Sequence, residues 1–471
     1  MTPLRRLGRL RLWAWGGALA LALGCPAGSV RAEVLELTPD EALMTARAAY
    51  LAGEVAAARH IARALAEAQP DNPWVHLVLS ASEVRLGRPE AGLKAGRLAW
   101  RLTVPGKNTR PLRYEIARNT AKAALESGRP MLAQYWLRRS LDVAPDAAAF
   151  SASGRDLEVV RARTPLRLSF EMEAGPSDNL NGGADSSVFR IGDHVLGTLS
   201  NGAEAVSGSR ASLAIRAERA LPGSDRAQTV LTFSGETLRN HIDAASRAKA
   251  GRMTSRDLDS SSLSFGLRRD MRLGEKGLPL SLSVEVAQHW AGGPVLGPSL
   301  AFAAQGAVWQ GRAATVWLGG SVERAWDGAN PAGQDHYALN LVGERAFGQT
   351  RASVALTLES ARSDHANTTY DAARLSVQLA PDWKIGGASV SLGANLGMRD
   401  YDEFTLIGGA VAVTGGRQDQ SVGLSMDLSF DNLGVMGFAP VLSLRHGQTQ
   451  SNVSRYETGT SGVSLGISSV F

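Results

Sequence analysis

The stretch LSLSVEVA, residues 280–287, decides the fold. Leu280, Leu282, Val284 and Val286 alternate with Ser281, Ser283, Glu285 and Ala287. A period of two marks a strand whose two faces meet different surroundings. Working outward, Leu166, Leu168, Phe170 and Met172 alternate in the same way with Arg167, Ser169 and Glu171. The pattern returns at Val354, Leu356 and Leu358, and at Val390, Leu392, Ala394 and Leu396. It appears again at Val422, Leu424, Met426, Leu428 and Phe430. Soluble sandwiches also alternate, but their strands are short. Here the segments run about 10 to 16 residues and end in Gly, Asn and Asp turns, which fits a barrel with lipid outside and a polar lumen.

Segment starts fall near 166, 207, 226, 257, 278, 294, 311, 336, 350, 368, 385, 419, 436 and 460, predicting about fourteen antiparallel strands over 166–471. At bilayer depth every backbone amide needs a partner, so such a sheet must close. The last strand carries Val463, Leu465, Ile467 and Phe471 on one face. A terminal Phe471 on an amphipathic strand is expected to be the signal read by the barrel-assembly machinery, with outer-membrane lipid as the other partner of the apolar face.

Before residue 150 the grammar is helical. Val55, Ala58, Ile61, Ala62 and Leu65 share a stripe from which Arg59 and Arg63 are excluded. Gly53 and Gly87 each separate two helical stretches, and Gly128 separates a third pair. That spacing predicts a tetratricopeptide-like domain over 33–150, with the three glycines at the helix crossings, and a linker over 151–165. Such a stack offers a surface for peptides or proteins, or serves as a spacer or plug. Trp74, Trp100 and Trp136 read as helix-packing residues.

At the N-terminus, Arg5, Arg6, Arg9 and Arg11 precede the apolar run Leu12 to Leu23, and Val30-Arg31-Ala32 follows. This predicts a signal peptide over 1–32 with cleavage before Glu33. Leu23-Gly24-Cys25 offers the alternative of a lipid anchor through Cys25, although Ala22, Leu23 and Pro26 fit a lipobox poorly. The formal +5 arises from 50 basic and 45 acidic residues. Five of the arginines lie in the segment to be removed, so the mature chain is close to neutral and carries no argument for nucleic acid.

Catalytic patterns are weak. Gly462-Val-Ser464-Leu-Gly466 matches the nucleophile elbow of hydrolases, but it sits inside an alternating strand with no helix to follow. The eight histidines show no metal spacing, and His289 and His446 read as strand residues. The sequence therefore predicts neither an enzyme nor a cofactor.

Four places resemble the surface lipoprotein assembly modifiers. PSDNLN at 176–181, with Asn179 and Asn181, resembles that family's asparagine-rich turn after the first barrel strand. SGSRASL from Ser207 resembles the opening of the second strand, and Arg417-Gln-Asp419 the charged start of the twelfth. GFAPVLSLRHGQTQSNVSRYETGTSGVSLGISSVF, residues 437–471, resembles the final hairpin, including Pro440, Ser451, Asn452 and Tyr456. The resemblance implies a signal peptide, a short periplasmic repeat domain and one fourteen-stranded outer-membrane barrel. It also implies a role in moving client proteins, either surface lipoproteins or secreted haem- or metal-carrier proteins, across the outer membrane. An exopolysaccharide export channel and a substrate-specific porin are the competing readings. Whether the first loop, about 177–206, plugs the lumen stays open.

Overall fold

The computed structural model describes residues 37–275, 277–326, 333–364, 367–406, 409–435 and 438–469. The expected signal peptide, Cys25 and Phe471 lie outside the described residues.

Seven helices come first: α1 Pro39–Leu51, α2 Val55–Ala68, α3 Pro73–Arg85, α4 Pro89–Leu102, α5 Arg110–Glu126, α6 Pro130–Asp142 and α7 Ala147–Arg163. Their starts are set locally. Proline opens α1, α3, α4 and α6, where a missing N–H costs nothing. Thr38 and Glu41 form a reciprocal cap on α1, Asn72 Oδ1 accepts from Trp74 N, and Asp146 Oδ1 accepts from Ala149 N. Gly53, Gly87 and Gly128 lie between α1 and α2, α3 and α4, and α5 and α6, with φ of +91°, +73° and +70°. An L side chain is strained there, so glycine lets the chain reverse.

Alanine-rich faces then allow close packing. Val84, Leu93, Ala117, Ala121, Trp136 and Leu137 form one buried cluster with Leu157 and Val160 of α7. Residues 151–163, expected as linker, are therefore most of a seventh helix. The two apolar side chains that bury it stand among Ser, Gly, Arg and Glu, too sparse a stripe to read without the neighbouring helices. From Arg163 only Thr164 and Pro165 separate α7 from the sheet, and Thr164 is held by a 2.8 Å bond from Gln134 of α6.

Fourteen long strands follow: β1 Leu166–Ser177, β2 Gly208–Ala220, β3 Ala227–Ile242, β4 Ser260–Leu273, β5 Leu278–Ala291, β6 Val295–Gln310 and β7 Ala314–Ala325, then β8 Gln334–Phe347, β9 Thr350–Ser363, β10 Tyr370–Ala380, β11 Ala388–Tyr401, β12 Arg417–Ser429, β13 Phe438–Ser451 and β14 Thr458–Ser469. Each pairs antiparallel with the next, and Lys384–Ile385 adds a two-residue hairpin to β11. The sheet closes where β14 meets β1, in the register Met172↔Ile467, Glu173↔Gly466, Ala174↔Leu465 and Ser177↔Gly462. β1 runs two residues into 176–181, where a turn was expected. The β14 ladder skips residues 175 and 176, where Pro176 has no N–H to give.

The alternation read from sequence becomes two surfaces. Phe265, Phe302, Leu396 and Leu465 are 60%, 55%, 58% and 62% exposed and lie on the outward face. Such exposure of large apolar side chains on strand after strand is tenable only against lipid. The ends of the barrel also differ. On the side where α7 enters, strands are joined by the turns 221–226, 274–277, 311–313, 348–349, 381–387 and 430–437. The opposite end carries the long loops 178–207, 243–259 and 402–416.

The faces can be tested by parity on β9. Leu356→Arg, on the lipid side, is expected to cost about 2–4 kcal/mol, read as a shifted urea midpoint in liposomes. Ala355→Arg, one residue away in the lumen, is expected to leave the midpoint nearly unchanged.

Candidate functional site

The long loops do not stand open at their end of the barrel. The first loop, 178–207, folds into a hairpin of Val188–Ile191 and His194–Thr198 and lies against β14 and the last loop, 452–457. Its two asparagines hold it there. Asn179 accepts from Gly183 N at 2.8 Å and donates to Gly183 O at 2.9 Å and to Gly459 O of β14 at 3.0 Å. Asn181 donates to Gly202 O and Glu204 O and accepts from Val206 N, tying the two ends of the loop together. A short polar side chain that bonds backbone across a turn suits both positions.

More contacts clamp the same loop to the far end of the chain. Asp178 accepts from Ser461 N, and Asp185 accepts from Gly459 N at 2.7 Å. Arg190 makes a two-pronged pair with Glu457 at 2.7 and 2.8 Å, and Ser454 bridges Arg190 N and Val188 O. Both bonds come from one guanidinium nitrogen, and charge on donor and acceptor strengthens them. Sequence windows could not reveal these residues, because the partners lie more than 260 positions apart.

The last loop in turn holds 402–416. Asn452 accepts from Gln418 N at 2.8 Å and donates to Gly416 O at 2.9 Å, while Ser451 accepts from Val453 N. Tyr456 covers Arg417, whose guanidinium lies 3.4 Å from the Tyr456 ring centroid, 4.6 Å from Tyr401 and 5.2 Å from Phe404. Arg417 also pairs with Asp419 at 2.6 Å, and both side chains are about nine-tenths buried. Phe404, Val413 and Val453 close the apolar side of this cluster. The structure thus brings Asn179, Asn181, Ser451, Asn452 and Tyr456 into one interlocked cover. Pro440 is not part of it: it pairs with Ile467 near the opposite end of the barrel. Gly53, Gly87 and Gly128 stay with the helices.

Beneath the cover a cavity of about 330 Å³ is lined by Gly182 of the first loop and by Glu359, Arg374, Arg399, Arg417, Asp419 and Tyr456. Further down, the lumen is polar and cross-linked. Arg268 pairs with Glu218 at 2.7 Å and with Asp270 at 3.1 Å. Across the closing seam, Glu173 of β1 receives bonds from Ser464 of β14 and Arg445 of β13. Asp427 of β12 lies 3.9 Å from Arg445. Ser464, the central residue of the hydrolase-like motif, is therefore a strand residue spent on the seam. His289 contacts Ser299 in the lumen and His446 contacts Ser461.

A closed fourteen-stranded sheet with a lipid-facing apolar band and an ion-paired lumen is an outer-membrane transport barrel. The particular family that it matches is the surface lipoprotein assembly modifiers, whose family model covers residues 329–471. The resemblance carried by the final hairpin is thus borne out, and the matched span holds Arg417, Asn452 and Tyr456. A search of curated proteins finds no match. Among solved structures, an outer membrane channel from Pseudomonas putida F1 is similar at 14% identity over 65% of this chain and 96% of its own, with a TM-score of 0.33. A bacterial polysaccharide outer membrane secretin aligns at 10% identity over 64% and 98%, with a TM-score of 0.33. The helices align with the type III secretion translocator chaperone SycD of Yersinia enterocolitica at 14% identity over 27% and 88%, with a TM-score of 0.24.

The cover depends on Arg417 in a way that mutation exposes. Arg417→Met leaves Asp419 buried without a cation, at a cost of roughly 3–5 kcal/mol. Limited proteolysis is expected to cut 402–416 and 452–457 faster, with the barrel itself still resistant to heat in detergent.

Proposed function

We propose that this protein assists client proteins, surface lipoproteins or secreted soluble carriers, to or across the cell surface, with α1–α7 engaging the client in the periplasm. The match of residues 329–471 to the surface lipoprotein assembly modifiers carries this reading. Two physical features support it. The short turns lie at the end where α7 enters, and outer-membrane barrels keep short turns on the periplasmic side. Paired antiparallel helices present side chains of successive repeats on one surface, which suits extended polypeptide.

In this reading residues 1–32 are removed on export, 33–163 form the helical domain and 166–471 form the barrel, inserted by the barrel-assembly machinery through Phe471. The interlocked loops close the surface end at rest, so passage requires the first loop to leave β14. Arg190–Glu457 and the Asn179 bonds are the contacts that must break. Nothing in the pathway calls for a cofactor or a catalytic step.

Co-expression with a lipoprotein or secreted carrier encoded beside it tests the reading. The protease-sensitive amount of that client on intact cells is expected to rise. No rise, with the barrel correctly folded, sinks translocation and leaves polymer export or passive uptake. Removal of 38–163 is expected to leave a heat-modifiable barrel in the outer membrane while surface exposure of the client falls at least severalfold.

A further inference from the structure

The wall of the barrel is not uniform. Across β8 and β9 the ladder runs unbroken from Gln334↔Ser363 to Phe347↔Thr350. Across the β14–β1 seam the described residues give four register partners, with the break at 175 and 176 among them. Both partner pairs that face the lumen there include a glycine, Glu173↔Gly466 and Ser177↔Gly462. Between them a Cβ on Gly175 would collide with Val463 O, so no larger side chain fits. A strand pair without cross-strand side-chain contacts lacks much of what holds strands together. What braces the seam from inside is polar, Ser464 and Arg445 on Glu173, and such bonds exchange for water in a lumen. Towards the surface, first-loop carboxylates take the β14 amides in place of a strand: Ser461 N donates to Asp178, and Gly459 N to Asp185 at 2.7 Å. That part of the seam comes free when the first loop leaves.

Outside the same seam lies a groove of about 640 Å³. Pro176 of β1, Val463 of β14, Leu444 of β13, and Leu424 and Met426 of β12 line it. Register sets Met426 beside Leu444 and Leu444 beside Val463, in one lipid-facing row. Ser461 and Asp178 give it a polar lip at the surface end. An apolar trough with a polar lip suits an acyl chain that carries a polar head. The lumen, lined by Arg268, Glu218, Asp270 and Arg445, offers such a chain nothing, whereas a polypeptide needs that polar path. A protein tied to a lipid meets both demands at a slit with lumen on one side and hydrocarbon on the other. A bilayer phospholipid is surrounded by lipid already and needs no slit.

We propose that the β14–β1 seam opens sideways and that the groove outside it receives the acyl chains of a lipid-anchored client. The polypeptide follows the lumen while its anchor passes through the wall into the outer leaflet. The assignment to a client rests on the translocation reading; the weak seam and its groove do not.

Locking the seam in the assembled, full-length protein tests it. Ala174→Cys with Leu465→Cys places thiols on partners across the seam, and Leu341→Cys with Leu356→Cys does the same across β8 and β9. Each pair is joined in intact cells with dibromobimane, and the probe is a lipoprotein encoded beside the protein. Closing the seam is expected to lower the protease-sensitive amount of that lipoprotein at least fivefold, and closing β8–β9 to leave it unchanged. Export by the locked seam at the unlocked level, or equal loss at both positions, overturns the proposal while leaving translocation intact. A client whose exposure does not depend on the protein at all sinks both. Benzoylphenylalanine at Leu444 is expected to capture the lipoprotein, and at Leu341 not to; capture of bilayer lipid alone at Leu444 overturns the groove. Hydrogen exchange of the unmodified protein in lipid nanodiscs decides the matter if the cysteine variants fail to assemble. Amides of 172–177 and 462–467 are expected to exchange at least tenfold faster than those of 339–343 and 354–358, and equal protection overturns the proposal.

Discussion

Inside a bilayer there is no water to pair with a peptide group, and each unpaired one costs several kcal/mol. For β structure only a closed sheet meets that demand, and the rest of this molecule follows from how closure is made. β14 must return to β1, and it does so although the ladder is interrupted beside Pro176. The interruption is offset from within: Glu173, Ser464, Arg445 and Asp427 link four consecutive strands through the lumen across that seam. Charged side chains are tolerable there because they face one another and water, while the opposite faces of the same strands carry Met172, Leu465, Leu444 and Leu424.

Closure also dictates what can happen at the ends. A barrel whose strands return by short turns on one side has its freedom concentrated on the other, and here that freedom is used to build a cover. The first and last loops are brought side by side because the strands that carry them are neighbours at the seam. Loop contacts between residues near 180 and residues near 455 are thus a consequence of cylindrical topology. Arg417 stabilises the arrangement from beneath by meeting Asp419 and three aromatic rings at once. The loops form an interlocked cover carried by the strands that complete the cylinder.

The helical stack meets different constraints. It packs small side chains tightly, as at Gly96, where an added Cβ would lie 3.1 Å from Ser80 Oγ and 3.2 Å from Thr120 Cβ. Such packing shuts water out, and among the described residues the buried side-chain atoms without a hydrogen-bond partner, on Ser82, Glu83, Arg113 and Trp136, all lie in this stack. The stack joins the barrel through two residues, Thr164 and Pro165, after a helix that is itself anchored in the stack's core.

What the amino-acid sequence determined by itself was local and periodic. Strand starts were legible to within about three residues because alternation is a property of a few consecutive positions. The crossings at Gly53, Gly87 and Gly128 could be read for the same reason. Asn179, Asn181, Asn452 and Tyr456 were conspicuous as loop residues, but nothing in their own windows said that they meet. Only the tertiary structure decided that, since Asn179 finds Gly459 and Arg190 finds Glu457 across most of the barrel sequence. It also turned 151–163 from linker into helix, because Leu157 and Val160 are buried only when α5 and α6 are present to receive them. Periodicity records which face of an element will be buried; its partner is chosen by closure and packing, which no short stretch of chain contains.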